Sequence, residues 1–304
     1  MMTSPQTVAA PSTGSLSSDD PYYAVRLALV GKINEDRAAA GLEPVAFDPL
    51  SSQVGDRHCQ EMAGNGYLSH WNLRGLLPYH RYHFAGARDH LQENLSRLTI
   101  ISSQPNPLST APEDVLVNLL NAHQRFVDET PPLEGHRKNV LDPAHTHVGI
   151  GLAVVGGEFT MAEEFINRYV ELGPLPETLP KGSLRIEGTV LRQEFGPYYG
   201  VLFYEGWPQA RTAEELNRTY AYQDMTGQIA ARVPPWEMSF NSATGRFRFN
   251  LPINALGPGY YHMVFWVRRP IRSIPYNVLG APGAYQVDTA TGVPCAGWVF
   301  RSES

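Results

Sequence analysis

Histidine is the side chain whose ordinary pKa lies nearest neutral pH, and it is a common metal ligand. The chain has ten histidines, and nine of them fall between His58 and His147; only His262 lies outside that stretch. If one half of the chain carries proton or metal chemistry, it is the first. The usual signatures are missing, however. There is no HExxH pair, no Walker loop, no GxSxG elbow and no GxGxxG after a strand. Cys59 and Cys295 cannot build a disulfide scaffold or a four-cysteine zinc knuckle, and their distance in sequence reads as two separate thiols.

What remains is a set of phrases in order. They are INEDRAAAGLEPVAFD (residues 33–48), MAGNGYLSHWN (62–72), GLLPYHRYHFAGARDHLQENL (75–95), GHRKNVLDP (135–143) and VGIGLAV (148–154). Together they resemble the CAP superfamily. These are the SCP-like extracellular domains named for cysteine-rich secretory proteins, antigen 5 and plant pathogenesis-related protein 1, and the likeness is to the bacterial branch. The residues that carry it include Asn34, Arg37, Gly41, Ser69, His70, Gly75, Pro78, Arg81, Glu93, Asn94, Gly135, His136, Arg137, Asn139, Pro143, Gly149 and Gly151. The resemblance covers roughly residues 22–172. It implies an α-β-α sandwich with a surface cleft that holds two His and two Glu in many members and a divalent metal in some. His70 then matches the first cleft His, Glu93 the first Glu and His136 the histidine of the bacterial GHR phrase. Two departures stand out. Where eukaryotic members place their second His, before Thr-Gln, this chain reads EFTMAEEF, with Phe159 or Thr160 in the His place and Glu163 in the Gln place. Before His136, the segment FVDETPPLE replaces the bacterial W-x-x-S-P. The fourth cleft residue is therefore open among Glu129, Glu134 and Glu163, and Glu163 is carried forward with His70, Glu93 and His136.

Two imidazoles and one or two carboxylates in a cleft can do three things. His70, His136 and Glu93 can hold Zn²⁺ or another divalent metal with an open position, lowering the pKa of a bound water. They can act as an acid/base pair. Or they can form a hydrogen-bonded network that fixes the core. No recognisable nucleophile accompanies them, so three functional readings follow. The first is a secreted or cell-envelope binding module, without catalysis, whose His/Glu cleft receives a lipid, peptide or glycan. The second is a metal-dependent hydrolase of peptide or cell-wall bonds. The third is a carbohydrate-binding adhesin acting through the second half, where Tyr198, Tyr199, Trp207, Trp236 and Trp266 could stack on sugars.

Plainer readings fit the other polar residues. His80, His83 and His90, with Arg81 and Arg88, read as a solvated loop. His145 and His147 alternate like exposed strand residues. Asn94 reads as a side chain satisfying loop backbone. Arg137 reads as a carboxylate partner or helix-end cap. Cys59 reads as a small buried hydrophobe.

The elements that must position these residues change style near residue 174. Before it, apolar residues recur at helical spacing. A first helix runs through Ala24, Leu27, Ala28, Val30 and Ile33 and stops at Gly41. A second starts with Asp48 as N-cap and Pro49 in the first turn, and runs to residues 64–66. Thr110 to Glu113 reads as a capping box opening a third. Residues 148–155 and 158–171 read as two strands joined at Gly156-Gly157. After residue 174 the chain reads as strands: 184–190, 201–204, 228–233, 247–251, 260–267 and 297–300. The nearly continuous apolar run 260–267 predicts a central strand buried on both faces.

The expected class is thus α+β: a CAP-like α-β-α sandwich over residues 21–173, a Pro-rich linker over 174–182, and an all-β immunoglobulin-like sandwich over 183–304. Residues 1–20 read as a flexible leader without the apolar core of a signal peptide. With 42% hydrophobic and 18% charged residues and a net charge of -6, the chain is globular. It has no basic run for nucleic acid and no stretch long enough to span a membrane. The family likeness points to an extracellular or cell-envelope protein. Oligomeric state is not legible.

Overall fold

The computed structural model describes residues 16, 18–99, 109–269 and 292–303. The proposed leader therefore lies largely outside the described residues. Helix α1 (Tyr23–Ala39) is followed by β1 (Ala46–Phe47), α2 (Pro49–Asn65), α3 (Pro78–Phe84) and β2 (His90–Thr99). Next come α4 (Pro112–Val127), α5 (Gly135–Val140), β3 (His147–Val155) and β4 (Glu158–Asn167). The second region contains β5 (Val170–Leu172), β6 (Gly182–Val190), β7 (Gly196–Gly206) and α6 (Ala213–Leu216). It continues through β8 (Gln228–Val233), β9 (Ser239–Asn241), β10 (Arg246–Ile253), β11 (Gly259–Arg268) and β12 (Val293–Ser302).

The local signals act as their chemistry requires. Asp48 accepts the Ser51 N–H at 2.8 Å at the start of α2, and Gly66 ends it in the left-handed conformation. The capping box expected at Thr110 is absent: the N-cap is Ala111, with no side-chain cap, and Pro112 opens α4. A proline at the first helical position removes a donor that would otherwise need a cap, so the helix starts without one.

The first region has a mixed four-stranded sheet in the order β1-β3-β4-β2, with β1 parallel to β3 and the other pairs antiparallel. Strand alternation sends Val148, Ile150, Leu152, Phe159, Met161 and Phe165 to one core, where they meet Leu29 and Ile33 of α1 and Val115 and Leu119 of α4. On the opposite face, Ala153 and Ala162 meet Cys59, Met62 and Ala63 of α2. Here the approach is close. A Cβ on Gly151 would lie 2.4 Å from the Gly55 carbonyl carbon, so both positions have to be glycine for α2 to seat. Arg37, fully buried, donates to the carbonyls of Glu43, Val140 and Asp142. It ties α1 to the end of α5, which is why an arginine is needed within that helix.

The second region consists of two antiparallel sheets, β5-β6-β10-β9 and β12-β11-β7-β8. They share a core in which the Phe247 and Phe265 rings stack at 4.8 Å. Strand β11 is buried on both faces, as the 260–267 run predicts. Its outer side faces the first region, where His262 stacks on Tyr79 of α3 at 4.2 Å. Two boundaries differ from the sequence reading. Strand β5 belongs to the second region's sheet although it precedes residue 174. The Pro-rich stretch is docked on β12: Leu179 N–H donates to the Arg301 carbonyl, and Trp298 Nε1 to that of Pro176.

Candidate functional site

A cleft of about 580 Å³ opens along β2, the edge strand of the first sheet. Its floor includes His70, Glu93, Asn94, His136 and Asn139. One lip carries Leu133, 82% exposed, from the inserted segment before α5. The other wall comes from the second region. Residues 219–222 and 224, in the connection between β7 and β8, fold back over the first region, and Tyr220 stands 88% exposed at the mouth.

Three of the four expected cleft residues meet there, in two separate pairs. His70 Nδ1 donates to Glu93 Oε1 at 2.8 Å, and Arg81 binds the other Glu93 oxygen at 2.5 Å. Burial alone would raise the Glu93 carboxyl. The Arg81 charge and the His70 hydrogen bond outweigh burial and hold it well below the usual carboxylate range. Arg81 also donates to the His70 carbonyl at 2.7 Å, so one guanidinium fixes both residues. His136 donates instead to Glu129, whose second oxygen accepts the His136 N–H at 2.9 Å at the start of α5. The His136 ring stacks on Phe126. Arg137 donates to the Val127 carbonyl, capping the last turn of α4. Asn94 serves both faces of the strand's surroundings, donating to the His136 carbonyl at 3.2 Å and accepting from Asn139 at 2.9 Å.

Glu163 is elsewhere. It is fully buried on the α1/α4 face of β4, paired across the sheet with Asn94, and does not line the cleft. Its partners are His123 of α4, at 2.7 Å, and the Asn94 side-chain amide, which donates to its other oxygen at 3.3 Å; the second nitrogen of the His123 ring lies 2.9 Å from Asp36 of α1. Burial would lower the His123 pKa, but the two carboxylates raise it, so both ring nitrogens donate. Sequence reasoning missed His123. The signal was its place at helical spacing behind Val115 and Leu119, on the buried stripe of α4.

The opposite face of β4 carries a second missed carboxyl. Glu164 is fully buried and sits across from Glu93 in the ladder, and neither of its oxygens has a hydrogen-bond partner among the described residues. Burial and the Glu93 charge push its pKa far up, against Arg81. Glu164 is thus the neutral member of a carboxyl pair. Behind it His58 donates to the Ser69 carbonyl at 2.8 Å and, held by burial and by Arg81, has its pKa lowered to about 3.

The solvated loop expected around His80, His83 and His90 is instead helix α3 and the start of β2, and all three rings are buried. They face the second region: His80 Nε2 lies 2.8 Å from Glu205 Oε2, and His90 Nε2 lies 3.4 Å from Asp224. The burial that sequence could not foresee comes from β7, β11 and β12 covering α3. His145 is likewise buried, between the side-chain oxygens of Asn139 and Asn167. Cys59 and Cys295 are both free and buried. Of the aromatics expected on a sugar-stacking face, Tyr198, Tyr199 and Trp266 form a buried cluster.

As a metal centre, these donors do not fit together. Among the described residues no group of three or more His, Cys, Asp and Glu side chains is placed to hold an ion. Glu93 is already neutralised by Arg81, and a cation there would meet the guanidinium.

Residues 30–165 match the family model described as CAP, the cysteine-rich secretory protein family. Residues 30–165 are thus a CAP domain, which makes up less than half of the chain. The Bacillus subtilis (strain 168) protein YkwD is 26% identical over 135 residues, which cover 44% of each chain. This chain therefore spans less than half the length of that relative. Two solved structures are similar at a TM-score of 0.35: an extracellular protein containing a SCP domain from Bacillus anthracis and an outer surface protein from Borrelia burgdorferi. They are 21% and 17% identical over 51% and 47% of this chain, covering 45% and 91% of theirs. No helix among the described residues is long and apolar enough to cross a membrane.

Proposed function

We propose that the protein is an extracellular or cell-envelope binding module whose CAP domain receives a peptide, lipid or glycan in the cleft without chemically altering it. The observation that carries this reading is the state of the polar floor. His70, Glu93 and His136 are each held by a protein partner, and the cleft's own hydroxyl, Ser69, is bonded to Thr219 and to the Trp71 N–H rather than to an imidazole. Residues arranged this way hold a shape and offer hydrogen bonds more readily than they activate water. The cleft's apolar lip at Leu133 and aromatic wall at Tyr220 supply contact area for such a ligand. The extracellular setting rests on the description of the family as secretory.

The finer architecture is read on the same footing. Helices on both faces of the first sheet support an α-β-α sandwich. Two sheets sharing one core support an immunoglobulin-like second region. The boundary belongs near residue 170, since β5 pairs with β6.

The test is a binding screen of the full chain against a peptide-display library, a glycan array and phospholipid vesicles, repeated with Leu133→Asp and His136→Ala. Binding to one class that falls at least about tenfold in both variants supports the reading, since tenfold corresponds to the loss of one good contact. Binding unchanged by both variants, or none at all, overturns it. Zinc calorimetry on the wild type and His70→Ala tests the hydrolase alternative: a stoichiometric site lost with His70 would reinstate it.

A further inference from the structure

Strand β2 is a sheet edge, and edges present unpaired backbone groups that proteins ordinarily cover. Its outward groups can be identified. The Glu93 N–H donates away from the sheet, to the Tyr222 hydroxyl at 3.2 Å. In an antiparallel ladder alternate residues turn the same way, so the N–H and C=O groups of Leu91 and Leu95 face outward with those of Glu93. Leu95, Glu93, Asn94 and Gln92 all line the cleft. The cleft is therefore bounded by a strand edge able to take one more strand.

That edge is met by the chain's own residues 217–224. Asn217 accepts from the Leu68 N–H at 3.1 Å and donates to the Gly66 carbonyl at 3.0 Å. Thr219 Oγ1 lies 2.7 Å from Ser69 Oγ. Tyr222 sits with its ring 4.6 Å from that of His70, and Asp224 lies beside His90. Between these contacts the segment forms no strand and makes no backbone ladder with β2. A single side-chain hydroxyl takes the place a neighbouring strand's carbonyl would take.

We propose that residues 219–224 are an intramolecular stand-in for the cleft's ligand, and that this ligand is an extended peptide carrying a tyrosine, which pairs with the outer edge of β2 and puts its ring against His70. This rests on the binding-module reading and narrows it to one ligand class. Strand addition obtains affinity from main-chain hydrogen bonds and specificity from alternate side-chain pockets. The tethered segment competes at a high effective concentration, so the free ligand binds weakly until the segment is displaced. The rim agrees with a peptide: Leu133 and Tyr220 offer apolar contact on either side of a polar floor.

The probe is a labelled, end-blocked heptapeptide of the segment's own sequence, TYAYQDM, titrated by fluorescence anisotropy into the full chain. Wild type should bind it weakly. Tyr222→Ala should bind it about tenfold or more tightly, as expected when a competing segment is released. Tyr222→Phe, which keeps the ring and removes only the hydroxyl, should give a smaller gain in the same direction. Replacing the second tyrosine of the peptide by alanine should abolish the gain. Circular dichroism confirms that each variant is folded, and if Tyr222→Ala is not, the Tyr222→Phe comparison decides. Equal peptide affinity for wild type and the folded variants overturns the proposal. If the screen described above finds a glycan or lipid that needs Leu133 and His136 but is indifferent to Tyr222, the binding-module reading stands and the peptide inference alone fails.

Discussion

Glu163 and Glu164 are neighbours in β4, equally buried, and they sit in opposite electrostatic worlds. Glu163 points toward α1 and α4 and shares His123 with Asp36. Glu164 points toward α2 and faces Glu93, the carboxylate whose charge raises its pKa. Burial is common to both and cannot account for the difference. On the first face the sheet meets an imidazole whose pKa is raised by the two carboxylates around it. On the second it meets a carboxylate that Arg81 has already claimed, so the proton stays on Glu164. One residue of register decides which of the two a glutamate becomes.

The largest effect should come from removing the cation on the first face. His123→Ala would leave Glu163 buried beside nothing positive, and breaking a buried pair in this way costs about 3–5 kcal/mol. Urea unfolding at neutral pH measures it. A loss below about 1 kcal/mol would mean that the triad is not the charged cluster described. Its pH dependence has a definite sign. The folded pKa of His123 is raised, so its stabilisation is fully present below the unfolded value near 6.5 and is lost as pH rises through the folded value. The wild type should therefore lose more stability than His123→Ala on the alkaline side of 6.5.

The same contrast shows what sequence could and could not disclose. The helix starts and stops at Asp48, Gly41 and Gly66 were legible, because capping and left-handed turns are local chemistry. So were strands β3 and β4 and the six strand cores of the second region, some by alternation, as in 247–251, and others as short apolar runs between turn residues, as in 260–267. His70 and Glu93 were located through the resemblance of their phrases, and their side chains meet. Glu163 was placed in the cleft although strand alternation already separated it from Glu164. The period-two signal was available and outweighed by family position. The burial of His80, His83 and His90 was illegible, since it depends on a sheet that begins about 100 residues later. So was the cleft wall at Thr219 and Tyr222, which lies in a connection with no periodicity at all.

Packing sharpens the comparison further. On the α1/α4 face, Ile150 fills space between helices; on the α2 face, Gly151 leaves it empty so that backbones can touch. Gly151→Ala would drive a methyl into the Gly55 backbone, and overpacking of this kind costs about 1–3 kcal/mol. Ile150→Val removes one methylene and should cost about 0.5–1.5 kcal/mol. Thermal melts of the two single variants check the order. If adding an atom at 151 proved cheaper than removing one at 150, the close approach of α2 to β3 would be wrong.

The subtlest prediction concerns Glu164 itself and is opposite in direction to the first. Its folded pKa lies far above the unfolded 4.5, so above that pH the folded protein must keep a proton that the unfolded chain releases. Stability is therefore lost as pH rises from the ordinary carboxylate range toward the folded value. Glu164→Gln keeps the shape, removes the titration and spares Glu93 a competing carboxyl. Relative to wild type the variant should gain stability steadily as pH rises above 4.5, whereas below that pH the two should differ little. Unfolding curves at pH 4, 6 and 8 would show it. A gap that stayed constant across those conditions would mean that the Glu164 carboxyl is not pushed up by its surroundings, and that the two faces of the sheet do not differ in the way the geometry describes.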